Sequence, residues 1–267
     1  MAAKYDVPVT RVEPHPYLSG PVPIALAHRG GGNREYENTW RAFTEAVELG
    51  YTYIETDAQV TRDGQVVLFH DDDLTRLTGW SRKISELSYV ELCQEKIGGS
   101  ETIPLMVDVL ERWPQVKLNV DLKSDAVVAP FAKIITELKA MPRVCIASFS
   151  DQRIRRAAGL VGPDTCLSAG KSSVARLLAL SRLPSGMLKR FGRQPDVVQV
   201  PLKSSGVSIV TERFVNYVHS RGIAIHVWTI NDPAEMTAVL DLGVDGVVSD
   251  ETGKLKSVLQ DRGVWHD

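Results

Sequence analysis

The chain contains 267 residues, with 31 basic and 33 acidic side chains, and its formal net charge at pH 7 is −2. This near balance excludes the broad positive field that non-specific nucleic-acid binding needs, so we expect no nucleic-acid partner. Hydrophobic residues make up 43% of the chain and charged residues 24%, which is typical of a globular protein and not of a disordered one.

Targeting and redox signals are weak in this sequence. No apolar stretch reaches the roughly 18 residues that a membrane-spanning helix needs, and the first 23 residues lack the apolar core of a secretory signal. Cys93, Cys145 and Cys166 are odd in number, widely spaced and without the spacing of a metal site. We therefore expect reduced cysteines in a cytoplasmic protein.

Prolines are concentrated at the beginning of the chain, where five lie among the first 23 residues. Such a density argues against a regular helix or strand. We predict a proline-rich lead-in over residues 1–23 that packs on, or trails from, a single domain over residues 24–267.

Short apolar runs then alternate with amphipathic segments. Several runs are β-branched and nearly continuous, as expected of parallel strands that are buried on both faces. Helix signals lie between them: helical spacing of apolar residues over 38–49, a capping-box pattern from Ser88 to Glu91, and Asp232 before Pro233. This alternation predicts a parallel sheet with covering helices. The apolar runs are 24–27, 53–60, 66–69, 117–121, 144–148, 166–169, 197–200, 224–228 and 246–249.

Nine runs are one too many for a TIM barrel, the (β/α)8 fold. The second and third runs are separated by only four residues, which is too short for a parallel crossover, and Asp63-Gly64 between them is a hairpin signal. The run 66–69 therefore folds back antiparallel on 53–60, pairing residues whose numbers add to about 126. We predict an α/β TIM barrel with a small insertion, about 60–103, after strand two.

Chemistry-bearing residues collect at the carboxyl ends of these strands, where barrel enzymes place their active sites. His28 and Arg29 end the first strand. Glu55 and Asp57 point to one face of the second, and Asp121 and Lys123 repeat that spacing after the fourth run. The hairpin register brings His70 opposite Thr56, beside both carboxylates of the second strand.

The residue types narrow the chemistry. Three clustered carboxylates repel one another unless a cation or protons compensate, and an all-oxygen site suits Mg²⁺ or Ca²⁺. Arg29 and Lys123 can neutralise an anionic substrate oxygen. His28 and His70 titrate near neutrality and suit a general acid and base pair. Together these groups indicate phosphoester chemistry.

A set of ordered motifs resembles the glycerophosphodiester phosphodiesterase family over residues 24 to about 260. The resemblance implies a TIM barrel with an insertion after strand two, and a hydrolase that releases an alcohol and glycerol 3-phosphate. The motifs are Ala27-His28-Arg29-Gly30, Tyr36-Glu37-Asn38-Thr39, Ile54-Glu55-Thr56-Asp57, Thr61-Arg62-Asp63-Gly64, Phe69-His70-Asp71, Asn119-Val120-Asp121-Leu122-Lys123, Ser148-Phe149, Val227-Trp228-Thr229-Ile230-Asn231 and Gly243-Val244-Asp245-Gly246-Val247-Val248-Ser249-Asp250.

The resemblance also implies roles for single residues. His28 and His70 would be the general acid and base, with Arg29 and Lys123 on the phosphate side. Members of the family commonly attack with the glycerol 2-hydroxyl of the substrate, which gives a cyclic phosphate that water then opens. The implied metal ligands for one divalent cation are Glu55, Asp57 and Asp121.

Three positions depart from the family pattern. Tyr36 replaces a proline, Asp121 replaces a longer glutamate, and residues 71–73 form an unusual acidic triplet. We interpret the triplet as a solvated loop, with a second cation site as the alternative. Trp228 either lines the apolar part of the substrate or closes the barrel mouth. Gln199 and Lys203 are further candidates for the pocket wall.

Alternative functions remain open at this point. The basic, leucine-rich segment 171–193 is either a covering helix with a solvated face or a peripheral membrane contact. Membrane contact would favour a lysophospholipase D-like activity on lysophospholipids. A non-catalytic phosphoester-binding barrel is the third possibility, against which the pair of histidines argues, because a binding protein needs no acid and base.

Overall fold

A computed structural model of the chain describes residues 15–31, 35–183, 194–204 and 206–265. Within these residues the strands are β1 (Ile24–His28), β2 (Tyr53–Val60), β3 (Val66–Leu68), β4 (Lys117–Leu122), β5 (Val144–Ala147), β6 (Cys166–Leu167), β7 (Val197–Pro201), β8 (Lys203–Ser204), β9 (Val207–Ser208), β10 (Ala224–Trp228) and β11 (Gly246–Ser249). The helices are α1 (Trp40–Glu48), α2 (Thr75–Thr78), α3 (Tyr89–Leu92), α4 (Met106–Arg112), α5 (Val128–Glu137), α6 (Asp151–Val161), α7 (Lys171–Ser181), α8 (Glu212–Ser220), α9 (Pro233–Asp241) and α10 (Thr252–Asp261).

Eight of these strands pair in parallel in the order β6-β5-β4-β2-β1-β11-β10-β7. A parallel bridge between Ser168 and Val197 joins the two ends of this sheet. A helix follows each of the eight strands before the next parallel strand begins or the chain ends. The predicted TIM barrel is therefore confirmed, and its strands are nearly continuously buried, as the apolar runs indicated.

The insertion after the second barrel strand is also confirmed. β3 pairs antiparallel with β2 in the register Ala58 to Leu68, so paired residue numbers add to 126. The turn contains Gly64 at φ 83°, a conformation that favours glycine. The segment that follows has a small core of its own, formed by Val67, Phe69, Leu74, Ile84, Leu87, Leu92, Ile97 and Ile103.

Local caps agree with the sequence signals. Thr39 caps α1 by accepting from the Ala42 amide, and Ser88 and Glu91 form the reciprocal capping box at α3. Asp232 caps α9, whose first residue is Pro233. These bonds satisfy amide groups that a helix start leaves without intrahelical partners.

The described part of the lead-in packs against the barrel. Residues Pro16–Leu18 form a 3-10 turn, and the fully buried Tyr17 meets Tyr53 edge to face at 5.3 Å between ring centroids. Lys117 Nζ donates to the Tyr17 carbonyl oxygen at 3.0 Å. Because Tyr53 and Lys117 begin their strands, Tyr17 closes the amino-terminal end of the barrel. The division at residue 23 stays a prediction.

The segment 171–193 is described only as far as residue 183. Within α7, Leu177, Leu178 and Leu180 are partly buried against the barrel core, as expected of a covering helix. Residues 184–193 lie outside the described residues, so membrane contact through this segment stays a prediction. No helix among the described residues has the length and apolarity to cross a bilayer.

All three cysteines carry free thiols, and Cys145 and Cys166 are buried side by side on β5 and β6. This agrees with the reduced state that the sequence predicts. A cytoplasmic location stays a prediction.

Candidate active site

Three neighbouring barrel strands bring the predicted carboxylates and the first histidine together. In the parallel register, His28 lies beside Glu55, and Asp57 lies beside Asp121. Glu55 also pairs with Asn119 of β4, a residue that the sequence reasoning did not single out. Since alternate residues of a strand share a face, all five side chains point into the barrel.

All eight predicted site residues line one cavity of about 160 Å³ at the carboxyl end of the barrel. Gln199 lines it as well. Lys203 is not among the lining residues, because it lies exposed on the β8–β9 hairpin, so its candidacy for the pocket wall was wrong. The eight residues are His28, Arg29, Glu55, Asp57, His70, Asp121, Lys123 and Trp228.

His28 is held between two carboxylates. Its Nδ1 is 2.6 Å from Asp250 Oδ1, and its Nε2 is 3.7 Å from Glu55 Oε2. Burial alone would lower the pKa of His28, but the charge of Glu55 and the hydrogen bond that His28 donates to Asp250 outweigh burial and raise that pKa above its ordinary value. A carboxylate at Nδ1 leaves Nε2 as the ring nitrogen that faces the cavity.

His70 has the same arrangement on the hairpin side. Its Nδ1 is 2.6 Å from Asp71 Oδ1, and Arg76 Nε is 2.6 Å from the other Asp71 oxygen. Arg76 also donates to Glu37 at 2.5 Å. Asp71 is therefore not the solvated loop residue that the acidic triplet suggested, because one of its oxygens is bonded to His70 and the other to Arg76.

The cations predicted for the phosphate are engaged with the carboxylates. Lys123 Nζ lies 2.7 Å from Asp57 Oδ1 and 2.8 Å from Asp121 Oδ2. Arg29 is 2.8 Å from Glu37 and 3.2 Å from Asp57. Burial would raise the pKa of Asp57, yet Lys123 and Arg29 lower it overall.

Glu55 lacks comparable compensation. Burial, followed by the charge of Asp57, raises the pKa of Glu55 to about 7. Its Oε2 accepts a bond from the Arg29 amide at 3.2 Å. Glu55 is therefore the carboxyl of this cluster that gains most from an added positive charge.

The donor set fits a hard cation, although the side chains do not form a finished metal site. Among the described residues, no three His, Cys, Asp or Glu side chains are arranged to hold a metal ion. Lys123 lies between Asp57 and Asp121 instead. However, Asp121 Oδ1 and Asn119 Oδ1 are buried oxygens without a hydrogen-bond partner in the described structure. Unpartnered buried oxygens beside Glu55 are what an oxygen-ligated cation would satisfy.

The mouth of the cavity is partly aromatic. Trp228, at the end of β10, meets Phe149 with 6.0 Å between ring centroids, and both residues line the cavity. Phe149 follows β5 and is 52% exposed. Trp228 therefore lies on the cavity wall and also at its rim.

This geometry can be compared with known proteins. Residues 28–254 match the model of the family described as "Glycerophosphoryl diester phosphodiesterase family". The chain belongs to this family. The expectation of an enzyme, a glycerophosphodiester phosphodiesterase, is thereby confirmed.

A curated relative and two solved structures agree with this family. The chain is 36% identical over 244 residues to the "Probable glycerophosphodiester phosphodiesterase 2" of Mycobacterium tuberculosis, covering 91% of this chain and 92% of that protein. It resembles in fold a glycerophosphodiester phosphodiesterase from Agrobacterium tumefaciens (TM-score 0.70, 19% identity, 87% and 98% coverage). It also resembles an Oleispira antarctica phosphodiesterase in complex with the product sn-glycerol-3-phosphate (TM-score 0.72, 22% identity, 90% and 97% coverage).

Several residues that shape the site stand in the family motifs, but the sequence reasoning gave them no role there. Asp250 directly follows β11, at the carboxyl end of a barrel strand. The rule that active-site residues lie at these strand ends, which selected His28, would therefore also have selected Asp250. Asn38 is fully buried and donates to Asp57 Oδ2 at 3.0 Å, while it accepts from the Thr56 hydroxyl at 2.6 Å. Nothing local in the sequence distinguishes Asn38 from a helix-start residue.

Proposed function

We propose that the chain hydrolyses glycerophosphodiesters to an alcohol and glycerol 3-phosphate, with His28 and His70 as the general acid and base. The observation that carries this proposal is that both imidazoles line one cavity and each has a carboxylate 2.6 Å from Nδ1. The two Nε2 atoms are then the groups that exchange protons with a substrate in the cavity.

Proton transfer balances between the two histidines. One imidazole takes a proton at Nε2 from the attacking hydroxyl, and the other donates its Nε2 proton to the oxygen of the leaving alcohol. Asp250 and Asp71 fix the ring orientations and stabilise the imidazolium forms. The two histidines can act in this way whether the attacking hydroxyl is the glycerol 2-hydroxyl of the substrate or a water molecule.

Metal dependence is part of the proposal. Glu55, Asp57 and Asp121 would hold one divalent cation, Mg²⁺ or Ca²⁺. When bound, such an ion supplies positive charge that stabilises the phosphate oxygens during the reaction. The unpartnered oxygen of Asp121 and the raised pKa of Glu55 support this assignment.

Arg29 and Lys123 would bind the phosphate from the other side. Both side chains line the cavity, and each contacts two carboxylates. An arriving phosphate would share these donors, because Arg29 and Lys123 each carry more N–H groups than two carboxylate contacts use.

The test measures release of glycerol 3-phosphate from glycerophosphocholine and glycerophosphoglycerol, before and after treatment with EDTA. We expect turnover that EDTA abolishes and that Mg²⁺ or Ca²⁺ restores. His28→Ala and His70→Ala should each lower kcat by about 10² to 10⁴, whereas His15→Ala, in the lead-in, should not. Full activity in either cavity variant would overturn the acid and base roles.

Metal binding has its own readout. Mg²⁺ or Ca²⁺ should raise the Tm of the wild-type protein, because a ligand of the folded state stabilises it. Glu55→Gln and Asp121→Asn should reduce that rise. An equal rise in both variants would refute the proposed ligands. Lysophosphatidylcholine, assayed beside glycerophosphocholine, tests the lysophospholipid alternative.

A further inference from the structure

One cation at the cavity mouth has no role in the proposed reaction. Lys171 is the exposed first residue of α7, and its Nζ lies 4.6 Å from the centroid of the Phe149 ring. Phe149 and Trp228 line the cavity and contact each other edge to face. Lys171 is therefore positioned over the Phe149 ring of an aromatic pair that lines the cavity.

Close packing of the loops after β5 and β6 fixes this position. Gly170 lies so near to Asp151 that an added Cβ would be 2.5 Å from the Asp151 backbone nitrogen. Asp151 in turn accepts the Ser172 amide at 2.9 Å and the Ser173 amide at 3.3 Å. The start of α7 is thus attached to the start of α6, which directly follows the Phe149 loop.

The charge of Lys171 is not cancelled by these contacts. Among the described residues, no carboxylate lies within ion-pair distance of its Nζ. Asp151 is bonded to the amides at the helix start, where it balances the positive end of the helix dipole. A net positive charge therefore remains at the aromatic rim.

An aromatic pair without such a cation would favour a quaternary ammonium group, which binds to aromatic faces through cation–π attraction. Here the protein's own ammonium group lies over Phe149, so a cationic headgroup meets a like charge. A neutral polyol headgroup meets no such repulsion, and an anionic headgroup is attracted.

We propose that Phe149, Trp228 and Lys171 form the subsite for the alcohol of the substrate, and that Lys171 selects neutral or anionic headgroups over quaternary ammonium headgroups. This inference rests on the proposed function. The rim suits the variable half of a diester because it is open to solvent, whereas the inner cavity wall carries the polar groups of Asn119, Ser168 and Gln199.

The test compares kcat/KM for glycerophosphocholine with kcat/KM for glycerophosphoglycerol. For like charges about 6 Å apart at an effective dielectric constant of about 40 to 80, removal of one charge changes the ratio about threefold to tenfold. Lys171→Met should therefore raise the choline-to-glycerol ratio by that factor. Lys171→Arg keeps the charge and should leave the ratio unchanged within about twofold.

Lys203→Met is the matched control, because Lys203 is an exposed cation at the same end of the barrel that does not line the cavity. It should leave the ratio unchanged. An unchanged ratio in Lys171→Met, or an equal rise in Lys203→Met, would overturn the role of Lys171. Thermal unfolding of each variant verifies folding. Wild-type protein that hydrolyses neither diester would refute the proposed function instead, so the two failures are distinguishable.

Discussion

The contact between Asp250 and His28 makes a specific prediction about the pH dependence of catalysis. Asp250→Asn removes the negative charge that lies 2.6 Å from His28 Nδ1. Since a hydrogen bond to a charged group contributes about 1.5–3 kcal/mol, and 1.36 kcal/mol corresponds to one pKa unit, the pKa of His28 should fall by about 1 to 2. The sign follows because Asp250 stabilises the protonated imidazole.

The substitution should also disturb the tautomer of His28. Asn231 Nδ2 donates to Asp250 Oδ2 at 2.8 Å, while Asn231 Oδ1 accepts from the Ser249 hydroxyl and from the Asp250 amide. Asn231 therefore cannot turn its amide without losing two bonds. The introduced amide would present its oxygen to Asn231 and its NH₂ group to His28, which places the proton of the neutral imidazole on Nε2, the wrong nitrogen for a general base, and destabilises the imidazolium that a general acid needs. We expect kcat to fall by about 10² to 10⁴.

The assay is a pH profile of kcat/KM for glycerophosphoglycerol hydrolysis, with saturating metal. If His28 is the base, the acidic limb of the profile should move to lower pH by about 1 to 2 pH units. If it is the acid, the alkaline limb should move to lower pH by the same amount. Asp71→Asn, the matched change at His70, should move the other limb. A profile in which neither limb moves, or in which both variants move the same limb, would refute the reasoning.

Three further predictions concern stability, measured by urea unfolding. Burial lowers the pKa of His226 to about 4, so the unfolded state binds its proton first as pH falls below about 6.5. Roughly 3 kcal/mol of stability should then be lost between pH 6.5 and 4, and His226→Gln should remove most of that loss. Tyr17→Ala should cost about 3–5 kcal/mol, whereas Tyr17→Phe should cost little because the buried hydroxyl has no hydrogen-bond partner within the part of the chain that the structure describes. Gly246→Ala should cost about 1–3 kcal/mol, since the new Cβ would be 2.7 Å from His226 Cδ2. Gly253→Ala in α10 is the control: its new Cβ would have no described atom within 4 Å, so this variant should be as stable as the wild type or more stable.

The barrel and the hairpin could be predicted from the sequence, because each follows from patterns within short stretches of the chain. Buried parallel strands require near-continuous apolar runs, and a four-residue connection excludes a crossover. A register in which paired numbers add to about 126 places His70 close to Asp57, and the observed pair of Ala58 with Leu68 has this register. The Phe69 amide donates to the Asp57 carbonyl oxygen at 2.9 Å, which continues that register to the site.

The contacts among the site side chains could not be predicted in this way. His28 and Asp250 are 222 positions apart, and their hydrogen bond depends on the closure of the whole barrel. Nothing in the lead-in composition indicates that Tyr17 occupies the end of the barrel. Similarly, residue type alone suggested a phosphate partner for Lys123, whereas the structure places Lys123 between Asp57 and Asp121.

The departures from the family pattern lie where neighbouring groups accommodate them. Tyr36 replaces the family proline, and its ring lies 4.3 Å from the Arg41 guanidinium while its carbonyl oxygen accepts the Thr39 hydroxyl. The loop is therefore held by bonds instead of by a fixed φ. Its next residue, Glu37, is only 5% exposed and bonds both Arg29 and Arg76.

Through Arg76, that loop is connected to the acidic triplet. Arg76 contacts Glu37 with one nitrogen and Asp71 with another, and Asp71 holds His70. A chain of ion pairs and one hydrogen bond thus joins Arg29, at the end of the first barrel strand, to His70 on the insertion. The hairpin pairs with a single barrel strand, and these charges add a second connection between its outer part and the barrel. Asp71, the first residue of the acidic triplet, therefore contributes to the geometry of the two histidines on which the proposed reaction depends.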